Sequence, residues 1–176
     1  LDQYPLGATK IVSDKKLQFT TALNAFQKQP EFLSSETSFE IKNLNSDKAL
    51  NVAGGSTDNE AVIEQYGYDK WNSQKWMFEK VDNDYYKIIN KKSGKLLEVN
   101  GMSTLTGAKC QQYEDNGGWN RQWKVIETSD YKYLLQNRLS GLYLGISNAS
   151  TDDGADCVQL DNSNSNIVKW DFLVTE

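Results

Sequence analysis

The sequence predicts an all-β fold built from three equivalent units, and two observations support this. The first is an internal repeat, because shifting the 176-residue chain by 47 residues aligns it with itself twice without a gap. The second is an alternation of apolar and polar residues with a period of two, as in Leu97-x-Val99 and Trp123-x-Val125. Such alternation is typical of half-buried strands. No stretch inside the repeats has a convincing helical period.

The repeat rests on eight columns whose residue is identical in all three copies. At average residue usage, chance would produce about 0.2 such columns. The copies span residues 36–82, 83–129 and 130–176. Residues 1–35 form an N-terminal extension or the tail of an upstream domain, in which 16–20 is a candidate strand and 21–28 a candidate short helix.

Each copy contains about four short strands separated by polar turns, and too few apolar residues to bury its own face. The copies must therefore share one core, and a closed three-fold object such as a β-trefoil or a three-sided β-prism fits. Two invariant columns are predicted to be structural rather than functional. They are the core tryptophans Trp76, Trp123 and Trp170, and the inward amides Gln65, Gln112 and Gln159. Cys110 and Cys157 share an apolar column and are predicted to be free, buried thiols.

The composition excludes several kinds of chemistry. The chain has no His, so neither a Ser-His-Asp triad nor a Cys-His nucleophile can be built. The net charge of −5 leaves no positive footprint for nucleic acid. No apolar run is long enough for a membrane span, and we expect no metal or cofactor. The start at Leu1, without a visible signal peptide, suggests a mature or excised piece.

The residues of the second copy resemble a known repeat. They read Tyr86-x-Ile88-x-Asn90-x-x-Ser93-Gly94-Lys95-x-Leu97-x-Val99, then Gly107-Ala108-x-x-x-Gln112-Tyr113, then Asn120-x-Gln122-Trp123, while the first copy has Gln74-x-Trp76. This pattern resembles the ricin B-type lectin repeat, in the branch without an intra-repeat disulfide. Over residues 36–176 the resemblance implies a β-trefoil fold and carbohydrate binding, usually as a module of a secreted glycosidase, toxin or lectin. The signature Gln is replaced by Arg121 and Val168 in the other copies.

Strand alternation selects the candidate sugar-binding residues. Leu50 and Val52 face the core, so Asn51 faces outward, and the same rule turns Glu64 and Tyr66 outward. A sugar site needs an aromatic ring to stack on the sugar, and carboxylate or amide groups to bind its hydroxyls. Alternation gives Asn51, Glu64 and Tyr66 in the first copy, and Glu98, Gln111 and Tyr113 in the second. The resemblance implies further polar contacts just before the invariant tryptophan, at Gln74 in the first copy and at Asn120 and Arg121 in the second.

The second set ranks ahead of the first because Glu98 keeps the charge of the Asp that the resembling family usually has in this column, whereas Asn51 keeps its shape without the charge. The third copy has Gly145, Val158 and Leu160 instead and has lost both platform and polar partners. The resembling family usually carries Asp in the column of Asn51, Glu98 and Gly145. Trp71 and Trp119 either extend a stacking platform or pack beneath their own loops.

These observations predict a noncatalytic carbohydrate-binding module that is the C-terminal part of a larger secreted protein. Its expected partners are a glycan and an upstream domain of the same polypeptide. Shallow, weak sites would gain avidity on a clustered glycan if two of them work. The alternative is a protein-interaction or receptor-binding trefoil that has lost sugar binding, and the absence of the family's Asp in every copy favours it. An enzyme is the least favoured reading, because no carboxylate pair recurs in a motif.

Overall fold

The structure, a computed structural model, describes residues 32–175 of the chain. These residues form twelve strands in one continuous sheet. The strands are β1 (Phe39–Asn43), β2 (Ala49–Val52), β3 (Ile63–Tyr66), β4 (Trp76–Lys80), β5 (Tyr85–Asn90), β6 (Leu96–Val99), β7 (Cys110–Tyr113), β8 (Gln122–Glu127), β9 (Tyr133–Asn137), β10 (Tyr143–Ile146), β11 (Ala155–Leu160) and β12 (Trp170–Val174). The all-β prediction is confirmed.

Six of the strands close a barrel. Long antiparallel pairs join β1 to β12, β4 to β5 and β8 to β9. Shorter contacts join β1 to β4, β5 to β8 and β9 to β12, which completes the ring. The other six strands form the hairpins β2–β3, β6–β7 and β10–β11, which contact one another around the three-fold axis. This arrangement is the β-trefoil, and the predicted three-fold architecture is confirmed.

Short 3₁₀ helices connect the strands. One follows the first strand of each hairpin, and these three helices are Ala53–Gly55, Asn100–Met102 and Ser147–Ala149. Three more precede or adjoin the invariant tryptophans, at Asn72–Gln74, Trp119–Arg121 and Asn166–Val168. No helix among residues 32–175 has the length and apolar character that crossing a membrane requires.

The invariant tryptophans form the centre of the shared core, as predicted. Trp76, Trp123 and Trp170 are fully buried. Each indole Nε1 donates to the carbonyl oxygen of the Leu 26 residues before it, at 2.9, 2.9 and 3.0 Å. A buried indole N–H must find an acceptor, and here the bond ties each barrel strand to the hairpin of its own copy.

The invariant glutamines hold neighbouring copies together. Gln112 Nε2 donates to the carbonyl oxygens of Ser56 and Asp58 in the preceding copy, at 3.1 and 2.8 Å. Its Oε1 accepts from the Ser93 hydroxyl at 2.7 Å. Gln65 and Gln159 make the same three bonds in their own settings. Turn backbone groups and a serine hydroxyl thus satisfy each buried amide, in agreement with the structural role predicted for this column.

Both cysteines are free and fully buried, as predicted, and burial raises the pKa of each thiol above its ordinary value. At the start of the described chain, Leu33 is buried in the core and the Ser34 carbonyl accepts from the Phe78 amide at 3.1 Å. The predicted strand at 16–20 and helix at 21–28 lie outside the described residues. The boundary between residues 35 and 36 stays a prediction.

Candidate functional site

Two of the three hairpins of the trefoil place candidate residues directly opposite each other. Asn51 pairs with Glu64 across β2 and β3, and Glu98 pairs with Gln111 across β6 and β7. In the third hairpin Gly145 faces Val158. One position of the fold therefore exists in three chemical versions, and the differences among them decide where a ligand can bind.

The first copy contains an open cleft of about 610 Å³, called the first-copy cleft below. Its lining residues come from β2, β3 and two turns, with one from the second copy: Asn51, Gly54, Gly55, Glu64, Tyr66, Trp71, Asn72, Ser73 and Lys92. The rings of Tyr66 and Trp71 lie 6.0 Å apart between centroids, with an angle of 36° between their planes. Trp71 is half exposed. Of the two readings of this residue, the structure favours an extended aromatic platform.

The polar groups of the first-copy cleft lie on its hairpin. Asn51 Nδ2 donates to Glu64 Oε1 at 2.8 Å. Asn51 Oδ1 is buried and has no hydrogen-bond partner among residues 32–175. Burial raises the pKa of Glu64, the Asn51 hydrogen bond opposes the rise, and the nearby carboxylates of Asp156 and Asp153 add to it. The cleft therefore presents a partly desolvated carboxyl group, and the amide that holds this group has a buried oxygen without a donor.

Gln74 lies beneath this cleft rather than in its wall. Its side chain is fully buried. Its Nε2 donates to the Gly67 carbonyl at 2.6 Å, and its Oε1 accepts from the Asp69 amide at 2.8 Å. Both ends of the amide are occupied by the loop that precedes Trp71. The structure thus gives Gln74 a bracing position, without direct access to a ligand.

Lys92 is a lining residue that the sequence reasoning missed. It belongs to the second copy and donates from Nζ to the Gly55 carbonyl. Gly55 has φ +59, and a Cβ there would lie 2.9 Å from Lys92 Nζ, the flexible end of that side chain. Its equivalents in the other copies are Asn45 and Leu139, so the column showed no pattern that could have identified it.

The second copy brings its candidate residues together, but one of them, Arg121, occupies the space between Glu98 and the Tyr113 ring. Arg121 Nη2 forms an ion pair with Glu98 Oε2 at 2.7 Å. The guanidinium carbon lies 5.0 Å from the centroid of the Tyr113 ring, and Nη1 donates to Asn116 Oδ1. What remains is a depression of about 210 Å³, called the second-copy depression below.

The polar groups of the second-copy depression also satisfy one another. Gln111 Nε2 donates to Glu98 Oε1 at 2.6 Å, and Asn120 Nδ2 donates to Glu98 Oε2 at 3.0 Å. Alternation correctly turned Glu98 and Gln111 away from the core, but the expectation that they face solvent is wrong. They are 2% and 7% exposed, and Asn51, which shares the column of Glu98, is also buried, at 3%.

The third copy has no room for a ligand at this position. A Cβ added to Gly145 would lie 2.7 Å from Val168 Cγ1 and 2.8 Å from Leu160 Cδ1. Apolar side chains therefore fill the space that the first copy leaves open. The loss of platform and polar partners read from the sequence agrees with this packing.

Trp119 differs from Trp71 in its surroundings. Its ring is exposed to a similar degree, but the guanidinium of Arg138 lies over it, 4.9 Å from the ring centroid. The same guanidinium lies 4.4 Å from the Tyr85 centroid. Trp119 is therefore held by a cation–π contact at the surface. It does not line the second-copy depression.

Solved structures of known proteins share this fold. ThreeFoil, a designed three-fold symmetric protein, is 36% identical with a TM-score of 0.76, over 77% of this chain and 97% of its own. An exo-β-1,3-galactanase from Clostridium thermocellum is 33% identical with a TM-score of 0.78; the match covers 82% of this chain but 32% of the galactanase. The ricin B-like lectin of Macrolepiota procera, solved in complex with lactose, has a TM-score of 0.69 over 80% of this chain and 96% of its own. Its identity of 17% shows the fold alone.

A search of curated protein sequences finds no significant match. The family model described as "Ricin-type beta-trefoil lectin domain-like" matches residues 26–113 and, in a second register, residues 72–160. These matches cover most of the chain and agree with the three hairpins and the closed barrel. The chain belongs to the ricin B-type β-trefoil lectin-like family.

Proposed function

We propose that the chain is a noncatalytic carbohydrate-binding module whose first-copy cleft holds the glycan. The observation that carries this proposal is the pairing of an aromatic platform, Tyr66 and Trp71, with the polar groups of Asn51 and Glu64 in one open cleft. Its volume lies within the range of about 300–1,000 Å³ that is usual for ligand pockets.

The chemistry of the cleft suits a sugar. An aromatic face buries the C–H patch of a pyranose ring at low entropic cost. The Glu64 carboxylate can accept from sugar hydroxyls, and Asn51 Nδ2 holds that carboxylate in place through a bond to Oε1 at 2.8 Å. Because the cleft is open to solvent and has few fixed polar contacts, we expect weak binding at a single site.

Binding without catalysis is the better reading of this cleft. Glycoside hydrolysis ordinarily needs two carboxyl groups placed on either side of the scissile bond. Among the described residues that line the cleft, Glu64 alone carries a carboxyl group. Family membership also supports a binding role, since ricin B-type domains are generally carbohydrate-binding modules.

We further propose that this module belongs to a larger, secreted protein such as a glycan-acting enzyme or a toxin. The match to the galactanase supports this, because this chain corresponds to about a third of that enzyme. An upstream domain would bring its activity to the glycan that the module binds.

A glycan array with the wild-type chain and the variant Tyr66→Ala tests the proposal. We expect binding to a restricted set of glycans by the wild type and loss of that binding in the variant. Tyr131→Ala serves as a control, because Tyr131 is an exposed aromatic residue that does not line the cleft. No glycan binding by the wild type, or binding indifferent to Tyr66→Ala, contradicts the proposal.

A receptor-binding trefoil without sugar binding is the second candidate. It is favoured by the residues Asn51, Glu98 and Gly145, which replace the family's usual Asp in all three copies. A negative glycan array would support this candidate.

A further inference from the structure

We propose that Arg121 closes the second-copy site by occupying the space of a ligand, so that the wild-type chain binds glycan through one site and exchange of Arg121 opens another. The inference deepens the proposed function and rests on it for the nature of the ligand. It makes Arg121 the residue that sets the number of working sites.

Gln74 and Arg121 stand in the same column of the repeat but take different paths. In the first copy the column holds Gln74, whose short side chain turns to the loop backbone at Gly67 and Asp69. In the second copy the column holds Arg121, whose longer side chain crosses to Glu98 on β6. The first-copy cleft is about 610 Å³ and the second-copy depression is about 210 Å³.

Arg121 contacts the same groups that a sugar would bind in this site. Its guanidinium lies over the Tyr113 ring, where a pyranose would stack. Its Nη2 occupies Glu98 Oε2, where a hydroxyl would donate. The guanidinium is planar and carries several donors, so it can make both contacts at once. A sugar that enters this site must therefore compete with a side chain that is always present.

The closed site contains polar atoms without partners. Arg121 Nε and Asn120 Oδ1 are buried and have no hydrogen-bond partner among residues 32–175. Such atoms destabilise the arrangement by the cost of their desolvation. Asn120 Oδ1 is the kind of acceptor that a sugar hydroxyl could satisfy, provided that Arg121 were absent.

Removal of the guanidinium should leave the other residues of the site in position. Glu98 keeps two donors within the chain, Gln111 Nε2 and Asn120 Nδ2. Tyr113 keeps its position in β7. Arg121→Gln would restore the residue type of the first copy and leave a platform, a carboxylate and two amides in place.

The experiment uses the full chain with the first-copy cleft disabled. Tyr66→Ala and the double variant Tyr66→Ala with Arg121→Gln are compared on a glycan array. We expect the double variant to regain signal, at least tenfold above Tyr66→Ala. In an otherwise wild-type chain, titration calorimetry with the arrayed oligosaccharide of strongest signal should change from one site per chain to two on Arg121→Gln.

Arg138→Gln is the matched control, because Arg138 also lies over an aromatic ring but does not line the second-copy depression. It should leave the number of sites unchanged. A triple variant, Glu98→Asn with Gln111→Glu and Arg121→Gln, reproduces Asn51, Glu64 and Gln74 of the first copy. It tests the proposal by the number of sites per chain if removal of the arginine alone impairs folding, which circular dichroism would show.

The proposal is overturned if the wild type already titrates two sites, if Arg121→Gln weakens binding, or if the folded variants without Arg121 gain neither array signal over Tyr66→Ala nor a second site per chain. These outcomes are distinct from failure of the proposed function. A wild-type chain without array signal contradicts binding in the first-copy cleft, whereas a signal gained with Arg121→Gln still supports closure by Arg121.

Discussion

The ring of Tyr66 lies 6.0 Å from the ring of Trp71, and the two planes are inclined by 36°. Tyr66 comes from β3, whereas Trp71 comes from the following loop, so two elements contribute to one aromatic surface. The loop is held in place from below by Gln74, through Gly67 and Asp69. The platform is therefore built on a braced loop rather than on a free one.

Removal of the loop tryptophan should weaken glycan binding. We expect Trp71→Ala to lower affinity about tenfold, since an aromatic contact contributes roughly 0.5–1.5 kcal/mol beyond its buried area. Titration calorimetry measures the change. Trp119→Ala is the matched control, because Trp119 is similarly exposed but lies outside the first-copy cleft. Equal losses in both variants would contradict the assignment of the platform.

Glu64 should make glycan binding depend on pH. Burial raises its pKa above the ordinary value of 4.5. Binding that needs the carboxylate as an acceptor should therefore strengthen as pH rises through this raised pKa. Glu64→Gln should flatten the profile and lower affinity at neutral pH by roughly tenfold or more, the usual worth of a hydrogen bond to a charged group. A pH profile that is unchanged in the variant would exclude this role.

The same substitution should stabilise the fold. Because the pKa of Glu64 is higher in the native state than in the unfolded chain, its contribution to stability is present below the unfolded pKa and is lost as pH rises through the native pKa. At neutral pH the buried carboxylate thus lowers the free energy of unfolding. We expect Glu64→Gln to raise the melting temperature at neutral pH, with a smaller difference below the ordinary Glu pKa. Thermal unfolding at both pH values checks the sign.

The invariant glutamines should be equally important in all three copies. Gln112→Glu removes the donors to the Ser56 and Asp58 carbonyls and places a carboxylate against them. We expect a loss of about 2–4 kcal/mol in the free energy of unfolding, measured by urea denaturation. Gln65→Glu and Gln159→Glu should cost the same within about 1 kcal/mol.

Gln136→Glu is the control for this series, because Gln136 is partly exposed and donates to one carbonyl, that of Gly141, at 2.8 Å. It should cost less than about 1 kcal/mol. Large differences among the three invariant positions would show that the copies are not energetically equivalent.

The third copy should resist conversion into a binding site. Gly145→Asn introduces a Cβ that would lie within 3 Å of Val168 and Leu160. Overpacking of this kind costs about 1–3 kcal/mol. We therefore expect a lower melting temperature and no additional site by calorimetry. A stable variant that gains glycan binding would show that this surface can rearrange.

The sequence by itself determined the architecture. The 47-residue repeat, the period-two strands, the tryptophan core and the bonded glutamines could all be read from it, because each recurs three times and depends on local alternation. It also placed Asn51 with Glu64 and Glu98 with Gln111, since alternation decides which face of a strand a side chain occupies.

Only the tertiary structure decided which of these sets is open. The sequence ranked the second copy first, yet Arg121 fills its space and leaves the larger cleft in the first copy. The reason is that the reach of a long side chain, and the approach of Lys92 from another copy, depend on distances across the fold. Periodicity along a strand contains no information about those distances.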